Sequence, residues 1–212
     1  IIDITPVDWI SPDSIIKVIG VGGGGCNAVN YMYNQNIEGC TFIVCNTDAQ
    51  ALNKCDVPIK IQLGEGLGAG TNPTEGRNAA LNSQDEIAEK VLDDKTEMLF
   101  ITAGMGGGTG TGASSIVAEV AKEMNILTVG IVTIPFAFEG PKKIKKAMMG
   151  VAKLAEQVDA ILVINNQKLL SIYPDFSMLN AFKKSDDVVA NAARSIAEII
   201  TIPGYINTDF AD

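Results

Sequence analysis

Residues 17–32 read KVIGVGGGGCNAVNYM, an apolar run that passes through a cluster of glycines into a helical pattern. Gly20, Gly22 and Gly25 satisfy the spacing G-x-G-x-x-G, which is typical of loops that bind dinucleotide phosphates. A helix that begins directly after such a loop offers unpaired N–H groups and the positive end of its dipole to a phosphate. A single match arises easily by chance in a chain with 21 glycines, so this segment predicts a phosphate loop without identifying the ligand.

The composition excludes several classes of protein. The 212 residues are 47% hydrophobic and 19% charged, which is typical of a globular protein with one large domain or two small ones. No apolar run approaches the length of a membrane span, so direct membrane insertion is not expected. The net charge of −9 disfavours nucleic acid as a partner, and the absence of histidine removes imidazole from acid–base chemistry and metal ligation.

The four cysteines show no C-x-x-C spacing, so a zinc site is not predicted. Cys45 lies in an apolar run that reads as a strand, where a reduced structural thiol is expected. Reduced thiols are typical of a cytoplasmic protein. The cysteines are Cys26, Cys40, Cys45 and Cys55.

Strand and helix patterns alternate along the chain. The six predicted strands are continuous apolar runs, typical of a parallel sheet that is buried on both faces. Repeated strand–helix units predict an α/β fold with a doubly wound, mostly parallel sheet. The strands are predicted at 15–20, 41–46, 59–63, 97–103, 127–135 and 160–166, and the main helices at 25–36, 79–92, 114–125, 142–158 and 177–201, with Asp48 capping a short helical turn.

A second glycine loop, AGMGGGTGTG at residues 103–112, again links a predicted strand to a predicted helix. A dinucleotide site needs one such loop, whereas two facing loops suggest a polyphosphate held from both sides. The chain lacks the G-x-x-x-x-G-K-[ST] motif, so backbone amides and the hydroxyls of Thr109 and Thr111 would carry the phosphate charge. The alternative is that these glycines only permit close packing of helices on the sheet.

Six ordered motifs resemble the FtsZ family, the tubulin-like GTPases of bacterial cell division. They are NTDAQAL (46–52), GLGAGTNPTEGRNAA (66–80), GGGTGTG (106–112), PFAFEG (135–140), SDDVV (185–189) and NTDFAD (207–212), and the resemblance extends from about Ile15 to Asp212. It implies a Rossmann-like GTPase fold with GTP or GDP as ligand. Mg²⁺ would be held mainly through the phosphates and by no assigned protein side chain, with K⁺ as a further possible ion.

The resemblance also implies a set of nucleotide-binding residues. For the phosphates these are Gly22, Gly23, Gly24 and Asn27 in the first loop, Gly106, Gly107, Gly108, Thr109 and Gly110 in the second, and Ala69, Gly70 and Asn72 in a third loop near the γ-phosphate. Glu139 would accept hydrogen bonds from the ribose hydroxyls. Lys143 is the nearest cation where the family usually has arginine.

At the base, Asn166 would read the guanine edge, and Phe182 would either stack on the base or pack in the core. Asp187 would accept hydrogen bonds from the guanine N1–H and amino group. Asp186 is the alternative, because adjacent helical residues point about 100° apart and only one can face inward.

The chain is expected to divide into an extended leader (1–14), a GTP-binding domain (15–176), a long core helix (177–203) and a catalytic loop (204–212). Because this loop follows a helix that crosses the domain, Asn207, Asp209 and Asp212 are expected at the pole opposite the glycine loops. There they would complete the site of the next subunit in a head-to-tail filament and orient the attacking water, so hydrolysis would require assembly.

Family members continue into a second domain, so a fragment is expected here, with division accessory proteins as partners of the missing regions. The expected location is the cytoplasm at the division site. The alternative functions are an NAD-binding oxidoreductase, which explains only the first glycine loop, and a non-hydrolysing structural relative of FtsZ.

Overall fold

The computed structural model describes residues 14–37, 39–91 and 95–201, which form a six-stranded sheet flanked by helices on both faces. The strands are β1 (Ile16–Val21), β2 (Thr41–Asn46), β3 (Ile59–Gln62), β4 (Met98–Gly104), β5 (Leu127–Ile134) and β6 (Ala160–Asn165). Their order across the sheet is β3-β2-β1-β4-β5-β6, and every neighbouring pair is parallel. The predicted doubly wound α/β fold is confirmed.

The helices are α1 (Gly22–Asn34), α2 (Ala49–Asn53), α3 (Pro73–Leu81), α4 (Gln84–Val91), α5 (Thr109–Glu123), α6 (Pro141–Ala155), α7 (Asn166–Ile172) and α8 (Met178–Thr201), with a 3₁₀ turn at Ala137–Glu139. The long helix predicted over 177–201 is thus present. No helix in these ranges is long and apolar enough to cross a membrane.

Alternating residues of the central strands contribute to two separate hydrophobic cores. In β1, Ile19 and Val21 pack into the core beneath α3, α4, α5 and α6. Ile16 and Val18 pack into the core beneath α1 and α8. The continuous apolar character of β1 therefore follows from burial on both faces of the sheet.

Two helices begin earlier than the glycine patterns predict. α1 begins at Gly22 rather than Gly25, and α5 begins at Thr109 rather than near Ser114. Close tertiary contact explains glycine in the first turns of α5: a Cβ on Gly112 would lie 1.9 Å from the carbonyl oxygen of Pro73 in α3. Packing of α3 on α5 therefore outweighs the poor helix propensity of these residues.

The prediction of a single helix over 79–92 is wrong, because two separate helices, α3 and α4, occupy this part of the chain. α3 begins directly after the residues of the predicted third loop, with Asn72 as its cap and Pro73 in its first turn. Both residues are ordinary signals for the start of a helix. α4 then follows after a break at Asn82 and Ser83, and α7 was not predicted at all.

Candidate functional site

The candidate site lies where the strand order reverses. From β1 the chain proceeds to β2 and β3 on one side, and from β4 it proceeds to β5 and β6 on the other. The connections after β1 and β4 therefore diverge and open a crevice at the carboxyl ends of the strands, which is where open α/β sheets bind ligands. A cavity of about 420 Å³ lies there, between the two glycine segments, the end of β5 and one face of α8.

Most of the predicted site residues line this cavity. Those that do are Gly23, Gly24, Asn27, Gly107, Gly108, Thr109, Gly110, Glu139, Lys143, Asn166 and Phe182. Six others lie outside its lining: Gly22, Gly106, Ala69, Gly70, Asn72 and Asp187.

Two helix N-termini meet at the cavity, and no side chain of the described residues caps either of them. α1 follows Val21 and α5 follows Gly108, and neither residue can supply a side-chain acceptor. By contrast, α2, α3 and α7 are capped by Asp48, Asn72 and Asn165, so the predicted cap by Asp48 is confirmed. The first N–H groups of α1 and α5 therefore remain for an anion placed between them.

The glycines of these segments serve two different purposes. A Cβ on Gly23 or Gly107 would meet no described atom within 4 Å, so at these positions the absent side chain leaves the cavity open. A Cβ on Gly25 would lie 2.2 Å from the carbonyl oxygen of Thr102, and one on Gly110 would lie 2.5 Å from that of Gly104. These two glycines permit close packing of a helix on a strand, which was the alternative interpretation of the glycine loops.

Gly22 and Gly106 shape the loops rather than line the cavity. Gly22 has φ +71°, and a Cβ there would lie 2.6 Å from the Gly110 nitrogen, so the two loops touch at this point. Gly106 has φ +103°, a value that favours glycine, and its N–H donates to Thr111 Oγ1 at 2.8 Å. Thr111 thus holds the second loop in shape, whereas Thr109 lines the cavity and its Oγ1 lies 2.6 Å from Thr47 Oγ1.

The third predicted loop lies directly behind the second. A Cβ on Gly108 would lie 2.7 Å from Ala69 Cβ and 3.0 Å from the Asn72 nitrogen. Asn72 Oδ1 accepts the N–H of Thr74 at 3.1 Å and so caps α3. Lys146 Nζ donates to the carbonyl oxygen of Thr71 at 2.7 Å and ties this loop to α6. In this structure the loop supports Gly108 and does not itself face the cavity.

Glu139 and Lys143 form one wall of the cavity as an ion pair. Lys143 Nζ lies 2.8 Å from Glu139 Oε2, and the N–H of Phe136 donates to Oε1 at 2.9 Å. These two contacts hold the carboxylate in place. Each of its oxygens can still accept a further hydrogen bond.

The far end of the cavity is formed by one face of α8 and the start of α7. Phe182, Ser185, Asp186 and Val189 line it, at positions i, i+3, i+4 and i+7 of the helix. Asn166 contributes from α7 and is 5% exposed. The Phe182 ring also packs edge-on against the fully buried Phe136, with centroids 5.0 Å apart, so it both packs in the core and faces the cavity.

The structure favours Asp186 over the predicted Asp187 at this wall. Asp187 Oδ2 lies 2.5 Å from Lys184 Nζ, and its Oδ1 accepts from Tyr31 and Asn191, each at 3.3 Å. The hydrogen bond from Lys184 is the main reason that the pKa of Asp187 is lowered. Burial instead raises the pKa of Asp186 to about 6.

Ser185 and Val189 are cavity residues that the sequence analysis missed. The sequence contained the pattern that identifies them, because residues three, four and seven positions after Phe182 lie on the same face of the helix. The same spacing selects Asp186 over Asp187. The predicted catalytic residues Asn207, Asp209 and Asp212 lie outside the described residues, as do residues 1–13 of the predicted leader.

Comparisons with known proteins agree with this architecture. The family model "Tubulin/FtsZ family, GTPase domain" matches residues 15–174. Cell division protein FtsZ from Pseudomonas putida is 57% identical over 211 residues, which cover 97% of this chain and 52% of that protein. FtsZ from Porphyromonas gingivalis is 54% identical over 93% of this chain and 44% of its own length. The chain thus spans about half the length of the curated relatives it matches.

Among solved structures, an empty FtsZ dimer from M. jannaschii matches with a TM-score of 0.88 and 42% identity, over 94% of this chain and 59% of that one. CetZ2 from Haloferax volcanii, described as a GTPγS-bound protofilament, has a TM-score of 0.76 at 21% identity, over 86% of this chain and 57% of that one, a likeness of fold alone. The family match covers most of the chain and agrees with the two glycine segments at the switch point: this chain belongs to the Tubulin/FtsZ family and carries its GTPase domain.

Proposed function

We propose that this chain binds GTP or GDP in the switch-point cavity and hydrolyses GTP to GDP and phosphate when its subunits assemble head to tail. The observation that carries the proposal is the meeting of two uncapped helix N-termini, those of α1 and α5, at a single cavity. One such terminus suffices for the pyrophosphate of a dinucleotide. Two suit a longer phosphate chain held from both sides.

The phosphates would lie against the backbone N–H groups of α1 and α5, beside Gly23, Gly24, Gly107, Gly108 and Thr109. The third loop would act from behind Gly108 and reach the terminal phosphate after a small movement of Gly70 and Thr71. Thr71 supports this role, because its φ of 62° is strained for a β-branched residue and such strain is common in switching segments.

The nucleoside would occupy the other end of the cavity. Its ribose hydroxyls would donate to Glu139, and Phe182 would pack on the base. The carboxylate of Asp186, rather than that of Asp187, would accept the guanine N1–H and the 2-amino group. Adenine has an acceptor at N1, which the same carboxylate would repel, so the site would favour guanine.

Hydrolysis would require a second subunit. Asn207, Asp209 and Asp212 would enter the site of the next subunit, where the two carboxylates would orient the attacking water. The described residues contain no group of three acidic, thiol or imidazole side chains placed to hold a metal ion. In this proposal Mg²⁺ would be carried mainly by the phosphates, where it would offset their charge, and K⁺ would be a further ion to test.

The cellular role proposed is filament formation in the cytoplasm at the division site. The partner would be a second copy of the chain, with accessory division proteins binding regions outside it. Nucleic acid and membrane insertion have no part in the proposal.

The test begins with the nucleotide that the purified chain retains. Denaturation followed by chromatography should release a guanine nucleotide, whereas release of NAD would favour the oxidoreductase. GTP turnover with Mg²⁺ should then rise steeply above a threshold chain concentration. Tight GTP binding with no turnover at any concentration, in this chain and in a longer chain that includes the second domain, would favour the non-hydrolysing structural alternative.

A further inference from the structure

A buried hydrogen bond joins two residues at the base end of the cavity. Ser185 Oγ donates to Asn166 Oδ1 at 2.8 Å, and the two residues are 4% and 5% exposed. Ser185 lies on α8 and Asn166 begins α7, so the bond links the two helices that close this end. Both residues also line the cavity.

This bond decides which edge of the Asn166 amide is available to a ligand. Oδ1 is directed to the hydroxyl of Ser185, which leaves the Nδ2 hydrogens as the group that Asn166 can offer to the cavity. An amide donor recognises an acceptor such as the O6 carbonyl of guanine. It does not suit the exocyclic amino group that adenine carries at the same position.

Asp186, the next residue on α8, presents the opposite chemistry from the same wall. Its carboxylate can only accept when ionised, whereas the Asn166 amide, oriented in this way, donates. A 6-oxo-2-aminopurine offers both matching groups along one edge, with O6 as acceptor and N1–H and the 2-amino group as donors. The two side chains therefore read different atoms of the base.

We infer that Ser185 is a specificity-determining positioning residue, which holds the amide of Asn166 so that it donates to the O6 atom of a 6-oxopurine nucleotide. The inference rests on the proposed guanine nucleotide site and adds to it the residue that sets selectivity at one atom of the base. Ser185 itself contacts Asn166 and need not contact the base.

The test compares GTP with 6-thio-GTP, in which a sulfur atom, a weaker hydrogen-bond acceptor, replaces O6 while N1–H and the 2-amino group remain. Affinities are measured by calorimetry on the nucleotide-free chain. The wild-type chain should bind GTP more tightly, by about three- to tenfold, which is the contribution of one hydrogen bond. Ser185→Ala should lose that factor for GTP and bind 6-thio-GTP as the wild type does.

Three further variants separate positioning from a general structural role. Ser185→Cys keeps nearly the same side-chain volume as serine but has only a weak hydrogen-bond donor, so it should show the same nucleotide affinities as those expected of Ser185→Ala. It therefore replaces Ser185→Ala if the loss of volume in the alanine variant impairs folding. Ser185→Thr retains the hydroxyl and should restore the preference for GTP. Ser195→Ala, at an exposed serine on the same helix, should match the wild type for both nucleotides.

The inference would be overturned if Ser185→Ala and Ser185→Cys weakened the binding of GTP and of 6-thio-GTP equally, or weakened neither. Only the part of the affinity that is specific to GTP depends on O6. Failure of the wild-type chain to bind either nucleotide would instead refute the proposed function, so the two failures are distinguishable. A wild type that binds both nucleotides equally well would overturn the inference alone.

Discussion

At the scale of single residues, two adjacent carboxylates on α8 have opposite surroundings. Asp187 is paired with Lys184 and accepts from Tyr31, whereas Asp186 is turned into the cavity, where burial raises its pKa to about 6. The pair shows how one step along a helix separates an ion-paired surface residue from a candidate base-reading residue.

Asp186→Asn should stabilise the empty fold and weaken guanine binding. Since the pKa of Asp186 is raised above its unfolded value of 3.8, the folded chain binds that proton more tightly, and stability is lost as the pH rises through about 6. At pH 7 the charged form costs on the order of 1–3 kcal/mol, part of which the variant should recover in a denaturant titration. Unchanged stability together with unchanged GTP affinity would contradict the assignment.

Asp187→Asn is the matched control. Because the pKa of Asp187 is lowered in the folded chain, its carboxylate contributes stability at pH values above the pKa of the unfolded state. This contribution is lost as the pH falls through the pKa of the folded state. The variant should therefore be slightly less stable at pH 7, with GTP affinity close to that of the wild type.

The pH dependence of GTP binding should also report Asp186. Because a protonated carboxyl no longer accepts both guanine donors, the GTP dissociation constant should rise as the pH falls below about 6 and level off once Asp186 is fully protonated. Asp186→Asn should lack this dependence apart from the part due to the phosphates. A wild-type profile that superimposes on that of the variant would exclude Asp186 from base recognition.

Cys55 should be the first cysteine to react with an alkylating agent. The hydrogen bond from the Cys26 thiol, and next the charge of Lys60, lower the pKa of Cys55 to about 7, although partial burial opposes them. Burial raises the pKa of Cys40 to about 11 and that of Cys45 to about 12. Mass-spectrometric mapping after brief iodoacetamide treatment should find Cys55 modified, with a rate midpoint near pH 7, and modification of Cys40 or Cys45 first would contradict this.

At the scale of elements, the N-termini of α1 and α5 would bind the phosphates in place of the charged side chain that other phosphate sites use. Both helices lack a side-chain cap in the described structure, and glycines open the space in front of them. Glycine is required there for two separable reasons, room for the ligand and close packing of helices, and substitution can tell the two apart.

Gly107→Ala should weaken nucleotide binding without loss of stability. A Cβ at this position meets no described atom within 4 Å, and the backbone φ is not positive, so alanine fits the fold but projects into the space beside the cavity. We expect the nucleotide affinity to fall at least tenfold while the free energy of unfolding changes by less than about 1 kcal/mol. Wild-type affinity would show that the ligand does not approach Gly107.

Gly112→Ala is the contrasting variant. Its Cβ would lie 1.9 Å from the carbonyl oxygen of Pro73, so α3 and α5 would have to separate. Thermal unfolding should reveal a loss on the order of 2 kcal/mol or more, as is usual for overpacked sites. A stable Gly112→Ala chain would mean that α3 can move away from α5 at little cost.

At the scale of the whole molecule, the site depends on chain topology. β1 and β4 are neighbours in the sheet but are separated by α1, β2, α2, β3, α3 and α4 along the chain, so the two glycine segments meet only after the sheet has formed. A ligand held between them binds the folded chain and not the unfolded one, and it therefore stabilises the fold.

Guanine nucleotides should accordingly raise the unfolding temperature. GDP at one hundred times its dissociation constant should add about 2.7 kcal/mol to the free energy of unfolding. ATP and NAD at the same concentration should shift the transition much less, because Asp186 and Asn166 match a 6-oxo-2-aminopurine. Equal shifts with GDP and ATP would indicate a site that binds phosphate without reading the base.

The fold class was predictable because its causes are local in the sequence. The continuous apolar strands require burial on both faces of the sheet. Because they alternate with helical segments, the pattern predicts a parallel, doubly wound sheet. Asp48 as a helix cap and the two glycine segments at strand ends were predicted for the same reason, since each signal lies within a few residues of the structure it specifies.

The remaining features arise from contacts between distant segments. The early start of α5 depends on its packing against α3, and the supporting position of Asn72 depends on Gly108. Which face of α8 lines the cavity depends on its packing against β5 and α7. Once Phe182 is known to lie on that face, the helical spacing selects Asp186 over Asp187. Sequence thus specified the six strands, most of the helices and the position of the two glycine segments at strand ends. Packing between elements set the helix boundaries and the side chains that face the cavity, because those contacts exist only once the chain has folded.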